Sequence, residues 1–90
     1  MADTLHCTIT TPEAQVFDAA VASVTLPSHD GRIGVLKSHA PMMVELGEGE
    51  LSIEPTDRHE ARTRYAIQGG FAQIKSNQLV VLTAAAEPRA

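Results

Sequence analysis

The sequence predicts an all-β fold, a flattened antiparallel β-sandwich of two sheets with about eight to ten short strands. Three observations predict it. Apolar and polar residues alternate in several short runs, as in Leu5, Cys7 and Ile9 against His6, Thr8 and Thr10. Glycine and proline punctuate the chain too often for a long helix, most densely in the stretch Leu26-Pro27-Ser28-His29-Asp30-Gly31-Arg32-Ile33-Gly34. Aromatic residues are limited to Phe17, Tyr65 and Phe71, so the core must be built from Val, Ile, Leu and Ala.

Ninety residues form a single domain, 1–90, with a thin core; a chain of this size buries only about 60–65% of its unfolded surface. The net charge of −4 argues against nucleic acid as the main partner, because such binding draws on a basic face. The single cysteine, Cys7, excludes an internal disulfide and suits a reducing compartment. Residues 1–11 lack the basic start and apolar centre of a signal peptide, and no apolar run approaches the ~18–20 residues of a membrane span.

In chain order, Leu5, Cys7 and Ile9 mark a half-buried first strand, with Cys7 as a small core residue. Thr11-Pro12-Glu13 forms a turn. A strand is expected over residues 15–17, a bend near Asp18, and a second strand from Ala20 to Leu26 that closes at Pro27. Gly31 and Gly34 bracket a short return strand with Ile33, Val35 and Leu36, and Ser38 and His39 form the next turn. Pro41 admits the chain to an apolar run over residues 42–46, which Gly47-Glu48-Gly49 stops. Leu51 and Ile53 alternate with Ser52 and Glu54, residues 55–59 form a polar hairpin loop, and Tyr65 and Ile67 face opposite Arg64 and Gln68. Gly69-Gly70 permits a bulge or sharp bend. Residues 71–75 and 78–83 are strands joined by a Ser76-Asn77 hairpin turn. Residues 84–87 could begin a helix that Pro88 stops.

Little in the chain points to catalysis. The four histidines fit no compact metal-ligand spacing. Ser38-His39 beside Asp30 resembles a hydrolytic set, yet adjacent Ser and His do not share the required hydrogen-bond geometry. Gly31-Arg32-Ile33-Gly34 lacks the flanking helices of a single-strand RNA clamp, and Gly69-Gly70 lacks the Lys and helix of a phosphate loop. Glu45, Glu48, Glu50 and Glu54 read as a solvated face. The residues alone therefore indicate a small β domain that binds.

Five blocks in order carry a resemblance. They are Thr11-Pro12-Glu13 with Val16-Phe17; residues 24–27 with Asp30-Gly31 and Ile33-Gly34-Val35-Leu36; His39-Ala40-Pro41; Gly69-Gly70-Phe71; and Val80-Val81-Leu82. From Leu5 to Ala86 the chain resembles the epsilon subunit of the rotary ATP synthase, in its N-terminal β-sandwich domain. The resemblance implies a non-catalytic rotor subunit of the central stalk. It would bind the gamma subunit and rest on the membrane c ring, coupling ion translocation to ATP synthesis without a cofactor. It implies a peripheral position at the cytoplasmic face of the bacterial inner membrane, with no membrane insertion. Thr11, His39, Ala40, Pro41, Met42, Met43 and Val44 resemble the gamma contact, with one of the two methionines facing each way. His29, Asp30, Gly31 and Arg32 resemble the c-ring contact, and Gly34, Gly69 and Gly70 resemble structural turns. Arg32 stands where the family has a carboxylate, and Lys37-Ser38 where it has a Pro and a Gly or Asn. The family's C-terminal helical hairpin is absent from this sequence, so neither ATP binding nor inhibition through that hairpin is expected. The alternatives are a free-standing β-sandwich adaptor or ligand-binding module, and an enzyme using His39.

Overall fold

A computed structural model describes residues 4–89, and these form seven strands with no helix among them. The strands are β1 (Leu5–Thr10), β2 (Gln15–Ser28), β3 (Gly31–Leu36), β4 (Met42–Pro55), β5 (Thr63–Lys75), β6 (Gln78–Leu82) and β7 (Ala86–Arg89). The hydrogen-bonded order is β1-β6-β5-β4-β2-β3, β1 also pairs with β2, and β7 pairs with β5.

Three strands serve two layers. Residues 15–21 of β2 pair with β1, whereas residues 23–28 pair with β3 and residues 21–28 with β4. Residues 63–70 of β5 meet the second half of β4, and residues 64–67 meet β7; residues 71–75 then pair with β6. One layer is therefore early β4, late β5, β6, β1 and early β2. The other is β3, late β2, late β4, early β5 and β7. The expected two-sheet sandwich is present, built from fewer and longer strands than expected. It is also not wholly antiparallel, because β1 and β6 run parallel.

Sequence explains how single strands cross between layers. Asp18 does not break β2; it is exposed, its carboxylate pairs with the ring of His6 on β1, and the ladder continues through it. Gly47 and Gly49 do not stop β4 either. A Cβ on Gly49 would lie 3.1 Å from Pro27 Cβ, and one on Gly47 would lie 3.3 Å from the Ser28 carbonyl carbon. The two glycines let β4 pass under the end of β2, where Pro27 donates no ladder hydrogen bond and the register shifts between Thr25 and Ser28. Gly69 and Gly70, both at positive φ, bend β5 from one layer into the other. Gly34 departs from expectation: it is no turn but an interior residue of β3 paired with Thr25. Residues 84–87 begin no helix. Before the bend, β5 exposes an edge that β6 does not reach, and β7 pairs there, with Pro88 at an outer edge where a missing N–H costs nothing.

The core between the layers holds Leu5, Cys7, Ile9, Val24, Leu26, Leu51, Ile53, Ile67, Ile74, Leu79 and Val81, among others. Burial pushes the Cys7 thiol up to about 12, the state of an inert core residue. Tyr65 closes one open side: its hydroxyl donates to the Val16 carbonyl at 3.3 Å, and its ring meets Phe17 edge-on.

Candidate functional site

The hairpin between β2 and β3 presents the residues expected at the c ring. His29 and Asp30 form its tip, and Gly31 sits at φ 130° where β3 begins. Ser28 fixes the tip by donating from Oγ to the Gly31 carbonyl at 3.0 Å. Arg32 is exposed as the second residue of the return strand, and His29 Nε2 lies 3.7 Å from Glu45 Oε2 on β4. The tip is thus ordered, polar and of mixed charge.

The residues expected at gamma divide into two groups. The His39 ring donates from Nδ1 to the Ala40 carbonyl at 2.7 Å, and the His39 N–H reaches the Leu36 carbonyl at 3.3 Å. This is a turn residue tied to its own backbone. The neighbouring Ser38, at φ 64°, is anchored by the Asn77 side chain, whose Oδ1 accepts from the Ser38 N–H at 2.5 Å. Pro41 and Met43 are exposed, while Met42 and Val44 are half-buried against the core, so the two methionines do face opposite ways. Thr11 lies elsewhere, buried in the turn after β1, with its hydroxyl donating to the Ala14 carbonyl at 3.2 Å.

What joins these groups is a surface that the sequence reading missed. Cross-strand register places Met43 beside Gln73 and Val80, and Glu45 beside Phe71 and Leu82, on the outer face of one layer. Leu82 in turn pairs with Thr10, the neighbour of Thr11. Met43 is 67% exposed, Phe71 54%, Leu82 52% and Val80 36%. Large side chains so exposed and contiguous mark an interaction site on a small protein. The missed signal was the unbroken run Leu79-Val80-Val81-Leu82. A strand with one wet face alternates, whereas a continuous apolar run means that both faces are apolar. Here Leu79 and Val81 are buried, so Val80 and Leu82 must point out.

The opposite layer is polar outside. Arg64 and Arg89 stand opposite each other, Glu50 and Glu87 flank Ala66, and Arg62 pairs with Glu54 at 2.9 Å. An open cleft of about 740 Å³ there is lined by Glu48, Gly49, Glu50, Ala66, Ile67, Gln68 and Arg89. It holds no convergent set of titratable groups. Among the described residues no group of three or more His, Cys, Asp or Glu could hold a metal ion, and no helix is long and apolar enough to cross a membrane.

Residues 4–89 match the β-sandwich domain of the ATP synthase delta/epsilon chain. The chain belongs to that family. The ATP synthase epsilon chain of Rickettsia typhi is 36% identical over 86 residues, which are 96% of this chain and 78% of the relative. That of Campylobacter concisus is 40% identical over 80 residues, 89% of this chain but only 60% of the relative. Several curated family members thus extend well beyond the part that this chain matches. Among solved structures, a chain of the Euglena gracilis mitochondrial ATP synthase, in an assembly of OSCP, F1 and c-ring, superposes with a TM-score of 0.89 at 26% identity, covering 98% of this chain and 55% of that one. A chain of the Tetrahymena thermophila central stalk and c-ring superposes at 0.77 with 14% identity, covering 93% of this chain and 66% of its own, a likeness of fold alone.

Proposed function

We propose that this chain is a rotor subunit of an ATP synthase, joining the gamma subunit to the c ring so that ion-driven rotation reaches the catalytic head. The observation that carries this reading is the apolar face of Met43, Phe71, Val80 and Leu82 on a chain of this family. A rotor connector needs stiffness and two adhesive surfaces. Stiffness comes from close packing between layers that share three strands. The apolar face and its flanks, Thr11 and residues 39–44, meet gamma; stable attachment calls for roughly 800 Å² per partner. The ordered tip at His29, Asp30, Gly31 and Arg32 meets the c ring. With Arg32 in place of a carboxylate, the facing ring loop is expected to be acidic or neutral. The subunit works without a catalytic site or cofactor of its own, on the periphery of the membrane, at the cytoplasmic face in a bacterium.

The test is calorimetric titration of the chain with its cognate gamma subunit. Phe71→Glu and Leu82→Glu place a charge where a desolvated contact is needed and are expected to weaken binding by about 100-fold. Gln68→Glu, on the polar layer, should leave affinity within about twofold. Clean folding with no binding to gamma would turn the assignment toward an adaptor with another partner.

A further inference from the structure

The two open sides of the sandwich are finished differently. On one side, the early part of β2 is tied down by the Tyr65 hydroxyl on the Val16 carbonyl and by the Phe17–Tyr65 ring contact. On the other side lies the early part of β4. Residues 42–45 pair with β5 along one edge, and β2 joins their other edge only from Leu46 onward. No backbone partner meets that outer edge among the described residues. The β2–β3 hairpin stands across from it, and the His29–Glu45 side-chain contact spans the gap. The gap is a cleft of about 370 Å³, lined by Ser28, His29, Asp30, Arg32, Ile33, Val44 and Glu45.

The core is also incomplete there. Of the partly buried apolar residues packed against it, Ile33 and Val44 line this cleft, and Met42 lies on the same face of β4 as Val44. In an antiparallel ladder every second residue of an edge strand points its N–H and C=O away from its partner. The opening therefore combines a row of unused backbone donors and acceptors with half-covered apolar side chains behind it. That combination specifies its occupant: an extended chain whose alternate side chains are apolar. Native proteins cover such edges or blunt them with charge. Here Glu45 is the lone charged side chain of the segment, and Met43 beside it belongs to the apolar face.

We propose that residues 42–45 of β4 accept an added strand from the gamma subunit. The inference rests on the reading that gamma is the partner. The added strand pairs with the β4 edge, sets an apolar side chain against Ile33 and Val44, and lies between the apolar face and the hairpin tip. Gamma is then held by a backbone ladder as well as by side-chain contact.

Amide hydrogen exchange, read by NMR on the isotopically labelled chain with and without the gamma subunit, tests this. Amides of residues 42–45 that exchange fast in the free chain are expected to slow by about 100-fold or more in the complex, at alternate residues only. Binding that remains sensitive to Phe71→Glu while these amides keep exchanging within about tenfold of the free rate would overturn the strand and leave the gamma reading standing. Absence of any binding to gamma would overturn both. Protection that appears in the free chain and grows with its concentration would assign the edge to a second copy and overturn the choice of gamma.

Discussion

Gly70 is the residue with the least freedom to change. A Cβ there would sit 1.9 Å from the Leu82 carbonyl oxygen, a backbone atom, and φ is +109°. Gly69, at φ +67°, has only the Leu46 carbonyl oxygen at 3.7 Å, so its constraint is conformational alone. Gly70→Ala should cost more than about 3 kcal/mol or prevent folding, whereas Gly69→Ala should cost about 1 kcal/mol. Urea unfolding of the two variants separates a steric from a torsional requirement. Cys7 gives a second prediction at this scale. Its thiol is pushed up to about 12 in the folded chain from an ordinary 9.0, so the folded state keeps a proton that the unfolded state releases. The resulting stability is fully present below pH 9 and is lost progressively as pH rises from about 9 to about 12. Cys7→Ala should flatten that part of the stability profile, and native Cys7 should react with a thiol reagent far more slowly than the urea-unfolded chain.

Among the elements, turns were the most legible in sequence. Ser76 and Asn77 both adopt positive φ, at 52° and 62°, the geometry of a two-residue hairpin turn. Thr11-Pro12-Glu13 closes with the Thr11 N–H on the Ala14 carbonyl at 2.8 Å. The limits of strands were less legible, for a physical reason. Glycine serves both where a chain reverses and where two backbones pass closely, and composition does not separate the two. Gly47 and Gly49 are of the second kind and Gly31 of the first. The exposed carboxylate of Asp18 and the alanines around it carry no strand signal of their own; the His6 partner and the β1 ladder hold them extended. Residues 84–87 have helix-forming composition, yet the edge left open by the bend at Gly69-Gly70 overrides it. The turn after β3 offers a test at this scale. Ser38 at φ 64° occupies a conformation that Asn tolerates better than Ser. Ser38→Asn keeps the N–H that Asn77 holds and should raise stability by about 0.5 kcal/mol, seen as a higher urea midpoint with an unchanged slope.

At the scale of the whole molecule the two layers have opposite characters, and this decides how the chain behaves without its partners. Alternation along late β4 and early β5 showed that two faces exist, but whether the outer one is wet depends on which strands are neighbours. Met43 was named from its segment, whereas Phe71, Val80 and Leu82 join it only through the register of β4, β5 and β6. The other layer is covered by Glu48, Glu50, Glu54, Arg62, Arg64 and Arg89, which keep it solvated. A net charge of −4 gives only weak repulsion between copies at physiological salt, too little to keep an apolar face apart at high concentration. The isolated chain should therefore self-associate through the apolar face, weakly and with little dependence on salt, as sedimentation velocity over a concentration series would show. The double variant Phe71→Ser/Leu82→Ser removes two of the three most exposed apolar side chains of that face and should leave a monomer at concentrations where the parent associates. Because both side chains point outward, its unfolding midpoint should stay close to that of the parent. A variant that associates as strongly as the parent would place the sticky surface elsewhere, and the open edge of β4 would be the next face to examine. Addition of the gamma subunit should abolish the parent's self-association, since one face cannot serve both contacts.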